Sequence, residues 1–331
     1  MQDLAKNGAE PNAFTASSLT AYYFDCTEHF EENLKILLRF VSVPYFTQES
    51  VDKERGIIAQ EIRMVEDNPD WQIYQQLLQA LYVRHASRVP IAGTVESIAE
   101  ITPQTLYDCH KAFYTPANMV LTVVGDVRPD RVFEAAERIL PAESGPDIER
   151  DYGDEPEAIH QKEVTRHMEV SAPQFLLGFK CPPPERGESG YRTELLGDLA
   201  WDILLGESSP LYQRLYENGT INGSFGGAFD TLPGAACLYA GGDCKEPRKV
   251  AEAILREAER LRKDGIDPDY WQRTLRAAFG STLRGLNSFE NIAVGLAEGH
   301  FQGYDALRFP RVYESIQPED ILAFLRQNVR E

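Results

Sequence analysis

Residues 46–68, FTQESVDKERGIIAQEIRMVEDN, place apolar side chains at helical intervals. At about 100° per residue, Val51, Ile57, Ile58, Ile62, Met64 and Val65 gather on one arc, opposite Asp52, Lys53, Gly56, Ala59, Gln60 and Arg63. Thr47 predicts an N-cap and Pro69 a stop, so the pattern predicts one helix of about six turns. Two glutamates interrupt it. Glu54 and Glu61 stand two turns apart near the middle of the apolar arc. A carboxylate turned toward a core is costly unless a cation meets it. An arginine or lysine from elsewhere in the chain would make a structural ion pair, and a metal ion would make a site. The spacing alone leaves both readings open.

The same reading extends to the flanks. Residues 12–26 alternate and are rich in aromatic and β-branched side chains, which predicts a strand pair turning near Ser17 and Ser18. Helices are predicted over 28–43, 70–82, 103–114 and 131–140, with Pro103 well suited to a first turn. Residues 118–126, NMVLTVVGD, read as a buried strand. Residues 141–160 read as an exposed acidic linker, carrying Glu143, Asp147, Glu149, Asp151, Asp154, Glu155 and Glu157 with little to bury. Beyond it, strands are expected over 163–170, 174–180, 222–229 and 236–243. Helices are expected over 192–205, 210–217, 249–261, 268–286, 289–300 and 318–329.

Strand pair, helix, long helix and helix occur in this order twice, and both strand pairs end in Asp-Cys, at Asp25-Cys26 and Asp243-Cys244. The fold class expected is therefore α+β: two related units over 1–140 and 161–331, each an antiparallel-rich sheet with helices packed on one face, joined by the linker. The second copy opens with elements over 163–217 that the first lacks, and the first closes on a strand that the second lacks. The expectation is a chain cut at both ends.

Composition narrows the function classes. A hydrophobic share of 43% and a charged share of 26% over 331 residues suit a globular protein with room for two cores. A net charge of -19 argues against nucleic acid or an anionic membrane and favours basic or neutral peptides. No apolar run approaches the ~20 residues of a spanning helix, and the N-terminal stretch lacks a signal peptide's apolar core. The five cysteines are odd in number, scattered and free of Cys-x-x-Cys, as expected of reduced thiols in a cytoplasmic protein.

The run ERGIIAQEIRM resembles the corresponding helix of the insulinase/pitrilysin-type zinc peptidases, inverted zincins related to the mitochondrial processing peptidase, whose other signature is His-x-x-Glu-His. NAFTA, AYYFDC, IAGTVESI, YTPANMVLTVVGD and SPLYQRLYENG extend the resemblance over most of the chain, closest to a bacterial cytosolic branch. It implies that Glu61 is the third zinc ligand and that Glu54 supports the site from behind. It also implies that Asn12, Ala13, Phe14 and Thr15 form an edge strand that pairs with extended peptide. In SPLYQRLYENG, Tyr216 stands where many members place a substrate-gripping arginine, which makes it the candidate substrate contact of this half.

The histidines do not complete the motif. They are His29, His85, His110, His160, His167 and His300, and none begins His-x-x-Glu-His. After His29 and Glu32, Asn33 takes the second histidine's place, and after His160 and Glu163, Val164 does. His85, His110 and His167 are isolated. The resemblance implies a zinc metalloendopeptidase acting on peptides or small proteins, with zinc held in the intact parent and absent from this chain, which has no catalytic residue of its own. The alternative is a non-catalytic peptide-binding subunit of a heterodimer with an insulinase-like partner. A third reading is a purely structural protein, with Glu54 and Glu61 as core ion pairs.

Overall fold

The computed structural model describes residues 2–141, 145 and 148–330. In chain order its elements are α1 (Gln2–Lys6), β1 (Glu10–Thr15), β2 (Thr20–Asp25), α2 (Phe30–Ser42), α3 (Gln48–Glu66), α4 (Pro69–Leu81), α5 (Val95–Ala99), α6 (Pro103–Phe113) and α7 (Pro129–Ile139). The second half adds β3 (Gln174–Cys181), α8 (Glu188–Leu205), α9 (Pro210–Glu217), β4 (Gly226–Leu232), β5 (Ala235–Asp243) and α10 (Pro247–Asp264). It closes with α11 (Pro268–Gly285), α12 (Phe289–Gln302), α13 (Phe309–Ser315) and α14 (Pro318–Asn328). The fold class is α+β. The hairpins β1–β2 and β4–β5 each lead through Asp-Cys into a helix, so the repeated order read from the sequence is present. Among the described residues no helix is long and apolar enough to cross a membrane.

The chain forms two compact units. The first comprises residues 1–64, 91–151 and 285–301. Its β1–β2 ladder is antiparallel, pairing Asn12 with Tyr23 and Phe14 with Ala21, and it turns where Ala16 N–H donates to the Leu19 carbonyl at 2.9 Å. Leu34 and Leu38 of α2 bury against Ala135 of α7, with Phe24, Phe30, Val132 and Ile139 packed around them. Residues 119–126, expected as a buried strand, form no ladder and are half-buried or exposed. A strand is made by its partner, and among the described residues this segment has none.

The second unit comprises residues 65–90, 152–284 and 302–331. Its sheet runs β3–β5–β4, antiparallel throughout, with β5 in the centre. Period-two alternation sends Ala235, Cys237 and Tyr239 of β5 to one face. There they meet Tyr74, Leu77, Leu78, Leu81 and Tyr82 of α4 and its C-cap. Gly178 lies under this helix because a Cβ would stand 2.6 Å from Leu77 Cδ1. On the other face Phe229 fits against Gly197 of α8 and meets Phe324 of α14 edge-on at 5.2 Å. Two capping signals hold α4 in place: Asn68 Oδ1 accepts from the N–H groups of Asp70 and Trp71, and Pro69 occupies the first turn. Residues 163–170, expected as a strand, are irregular. They join neither edge of the β3–β5–β4 sheet, and the segment is held instead by Arg166 on Gln72 and Glu163 on Arg248.

The acidic stretch is not uniformly solvated. Glu143 and Asp147 lie outside the described residues, but Glu155 is not the solvated linker residue that composition suggested. Its side chain is 9% exposed and pairs with Lys180 Nζ at 2.5 Å. Its two oxygens also accept from the backbone N–H groups of Val83, Arg84 and His85 at 2.7–2.8 Å. Lys180 further donates to the carbonyls of Pro156 and Ala158 and lies over the Tyr82 ring. Burial by itself would raise the Glu155 pKa. The Lys180 ammonium and the three amides outweigh it and hold the carboxyl at about 2.

Because this pKa is depressed from 4.5, the stabilisation is complete above that value and disappears as the pH falls through the window from 4.5 to about 2. Glu155→Gln leaves Lys180 buried without its counter-ion and is expected to cost about 3 kcal/mol at neutral pH. The difference between variant and wild type should shrink across the acid window. Chemical denaturation at several pH values measures both, and an unchanged midpoint at pH 7 would contradict the assignment.

Candidate functional site

Helix α3 carries the two glutamates. Thr47 and Ser50 close its first turn reciprocally: Ser50 N–H donates to Thr47 Oγ1 at 3.1 Å and Thr47 N–H to Ser50 Oγ at 3.0 Å. Arg55 reaches the Ala99 carbonyl at 2.8 Å, tying α3 to the end of α5. The buried stripe is narrower than the sequence pattern suggested. Val51 and Ile62 are buried and Ile58 half-buried, whereas Ile57 and Met64 are 49% and 69% exposed. Glu54 and Glu61 lie about 60–80° to one side of Val51 and are exposed. The exposed face therefore reads Glu54, Ile57, Glu61, Met64. Neither carboxylate pairs with a cation among the described residues, so neither is buried against the core as the apolar arc implied.

The residues present do not fit a zinc ion. A catalytic zinc takes three protein ligands, and among the described residues no group of three or more His, Cys, Asp or Glu side chains is able to hold a metal. The histidines are accounted for elsewhere. His85 is buried: its Nδ1 accepts from Ser87 N–H and its Nε2 meets the Pro233 carbonyl at 2.7 Å, which assigns the proton to Nε2. His110 Nε2 donates to the Val41 carbonyl at 2.8 Å and its ring stacks on Tyr114. His29 precedes α2 in the left-handed region at φ 57°. His160, His167 and His300 are exposed.

The edge strand has a definite polarity. Since Ala16 and Leu19 close the hairpin, alternation turns the backbone of Phe14 and Asn12 toward β2 and that of Pro11, Ala13 and Thr15 away from it. Proline supplies no donor, so the outward N–H groups are those of Ala13 and Thr15. Ala13 N–H is taken by Asn12 Oδ1 at 2.8 Å. Asn12 Nδ2 donates to Tyr23 Oη at 3.0 Å, and Tyr23 donates to Glu290 of α12 at 2.5 Å. The chain Asn12–Tyr23–Glu290 had no local signal in the sequence, since its last member lies 267 positions beyond Tyr23. In the second unit, Tyr216 is 53% exposed and stacks on Tyr212, with ring centroids 5.8 Å apart.

Exposure without a partner predicts that Glu54→Gln and Glu61→Gln leave stability within about 0.5 kcal/mol of wild type. Urea denaturation of both variants checks this, and a loss above about 1 kcal/mol would restore the ion-pair reading.

Comparison with known proteins places the chain. The family described as Insulinase (Peptidase family M16) matches residues 1–95, and that described as Peptidase M16 inactive domain matches residues 100–278. The uncharacterized zinc protease YmfH of Bacillus subtilis is 37% identical over 99% of this chain and 77% of its own length. YmxG of the same organism, also named an uncharacterized zinc protease, is 27% identical over 85% of this chain and 68% of its own. An M16-like peptidase from Alicyclobacillus acidocaldarius superposes with a TM-score of 0.93 at 31% identity, covering 99% of this chain and 79% of that one. A protease from Helicobacter pylori shares the fold, with a TM-score of 0.87 at 18% identity over 99% of this chain and 81% of that one. The chain thus belongs to the insulinase family of peptidases, family M16.

Proposed function

We propose that the chain serves zinc-dependent hydrolysis of peptides, with Glu61 as one ligand, Glu54 behind it, and the remaining ligands drawn from residues outside these 331. The observation that supports this is the pair of exposed carboxylates on α3, two turns apart on one face and unclaimed by any cation among the described residues. The zinc-protease names of the relatives point the same way. As it stands, the chain is expected to hold far less than one zinc per molecule and not to hydrolyse peptide. Elemental mass spectrometry and a peptide-cleavage assay check this. Stoichiometric zinc that Glu61→Gln abolishes would mean that residues assigned above to other roles complete the site.

Peptide is bound, in this reading, along the open edge of β1 at Asn12, Ala13, Phe14 and Thr15, by backbone hydrogen bonds and with loose side-chain selectivity. Tyr216 is proposed to contact substrate from the second unit. Ala13→Pro removes one outward donor while sparing the β1–β2 ladder, because its N–H faces away from β2. It is expected to weaken peptide binding at least about tenfold, or about 1.4 kcal/mol. Phe14→Pro is less informative, since it removes a donor turned toward β2 and disturbs the hairpin itself. Equal affinity of Ala13→Pro and wild type in a peptide titration would remove β1 as the site.

The second reading is a non-catalytic peptide-binding subunit paired with an insulinase-like partner, as a homo- or heterodimer. It is favoured by the match of residues 100–278 to a domain described as inactive. Peptide binding without zinc, unchanged when the chain is extended upstream, would favour this reading over the first.

A further inference from the structure

The second unit has a cavity of about 460 Å³ between α9, α10 and α11. Its character is set by Arg214, Glu257, Arg260, Asp267, Tyr270 and Arg273. Glu257 is buried, and two arginines are held on it: Arg260 by Nε at 3.0 Å and Nη2 at 2.6 Å, Arg214 by Nη2 at 3.4 Å. The side chains of Arg214 and Arg260 stay 53% and 45% exposed, so each has donor capacity left over. Five N–H donors per guanidinium exceed what one shared carboxylate accepts. Arg273 has no carboxylate partner among the described residues and lies over the Tyr270 ring, 5.9 Å from its centroid. Asp267 spends one oxygen on Tyr270 N–H at 2.8 Å, at the start of α11. Three cations and two carboxylates line the cavity, and Asp264 of α10 also acts on Arg260, so the site rests on the unspent donors of Arg214, Arg260 and Arg273 rather than on a net charge, in a chain whose net charge is -19. Repulsion from the rest of the surface disfavours anions elsewhere, and a guanidinium fork matches the oxygens of phosphate. Fixing two of the three arginines beforehand lowers the ordering cost of binding.

We propose that this cavity binds a small phosphate-bearing anion, free or as an ester, between Arg214, Arg260 and Arg273. The proposal is independent of the peptidase reading and uses none of its residues. The probe is inorganic pyrophosphate, titrated calorimetrically into the purified chain. Saturable binding that weakens as salt is raised is expected, since the contacts are ionic and solvent-facing. Arg214 and Arg260 are poor first variants because removing either strips Glu257 of a partner. Arg273→Gln orphans no carboxylate, so its melting temperature should equal that of wild type while its affinity falls at least about tenfold. Arg273→Lys should fall between the two. Orthophosphate and adenosine monophosphate as competitors separate the sources: a stronger monophosphate assigns the site to phosphate esters, a stronger orthophosphate to the free ion. No saturable binding up to about 10 mM pyrophosphate, or equal binding by wild type and Arg273→Gln, overturns the proposal.

Discussion

One buried carboxylate links three segments that are distant in sequence. Glu155 accepts from the three amides that follow α4, and through Lys180 it is joined to β3, while Lys180 also fastens the carbonyls of Pro156 and Ala158. The amides of the segment that follows α4 therefore find an anion, and the anion finds both N–H dipoles and a cation. Without it, the face of the sheet formed by Leu176, Cys237 and Tyr239 would still be apolar, but α4 would meet it with a loose end. The packing of Leu77 and Leu81 over Gly178 tolerates little movement, because the approach is already as close as a missing side chain allows.

The helices and hairpins were legible because their signals are local. Thr102-Pro103 and the apolar rows of α2 and α4 each specify an element within a dozen residues, and Pro69, expected as the stop of α3, also occupies the first turn of α4. What was not legible depends on partners far along the chain. Residues 118–126 and 163–170 have the composition of strands, yet a ladder requires a second strand, and no residue inside either segment tells whether one arrives. Glu155 sits in a run of acids that looks uniformly solvated, and its cation lies 25 positions away on a strand. Helix α3 shows the converse. Periodicity alone turns Ile57 and Met64 toward the core, but the buried stripe is narrow, and burial is decided by what packs against a helix rather than by which residues would suit it.

The exposure of this face of α3 bears on the site. If Glu54 and Glu61 were buried they would need counter-ions, and their presence would follow from folding. Exposed and unpartnered, they contribute little to stability, and an apolar pair, Ile57 and Met64, shares their face. The fold therefore places no demand on these two acids, which separates them from Glu155 and Glu257, whose partners are built into the structure. The role proposed for them rests on the family resemblance, and no group of three or more metal-ligating side chains stands beside them among the described residues.

The open edge of β1 has a further consequence, for how the molecule avoids its own kind. An exposed strand edge invites any other extended chain to add to it. Here the amide of Ala13 is occupied by the side chain of the preceding asparagine, and that side chain is steadied in turn by Tyr23 and Glu290. Pro11, one step earlier, offers no amide at all. An incoming strand must therefore displace an internal competitor before it gains its first hydrogen bond at this point. Any extended chain, a second copy included, meets that competitor first, so the edge is guarded at this point by the strand's own side chain.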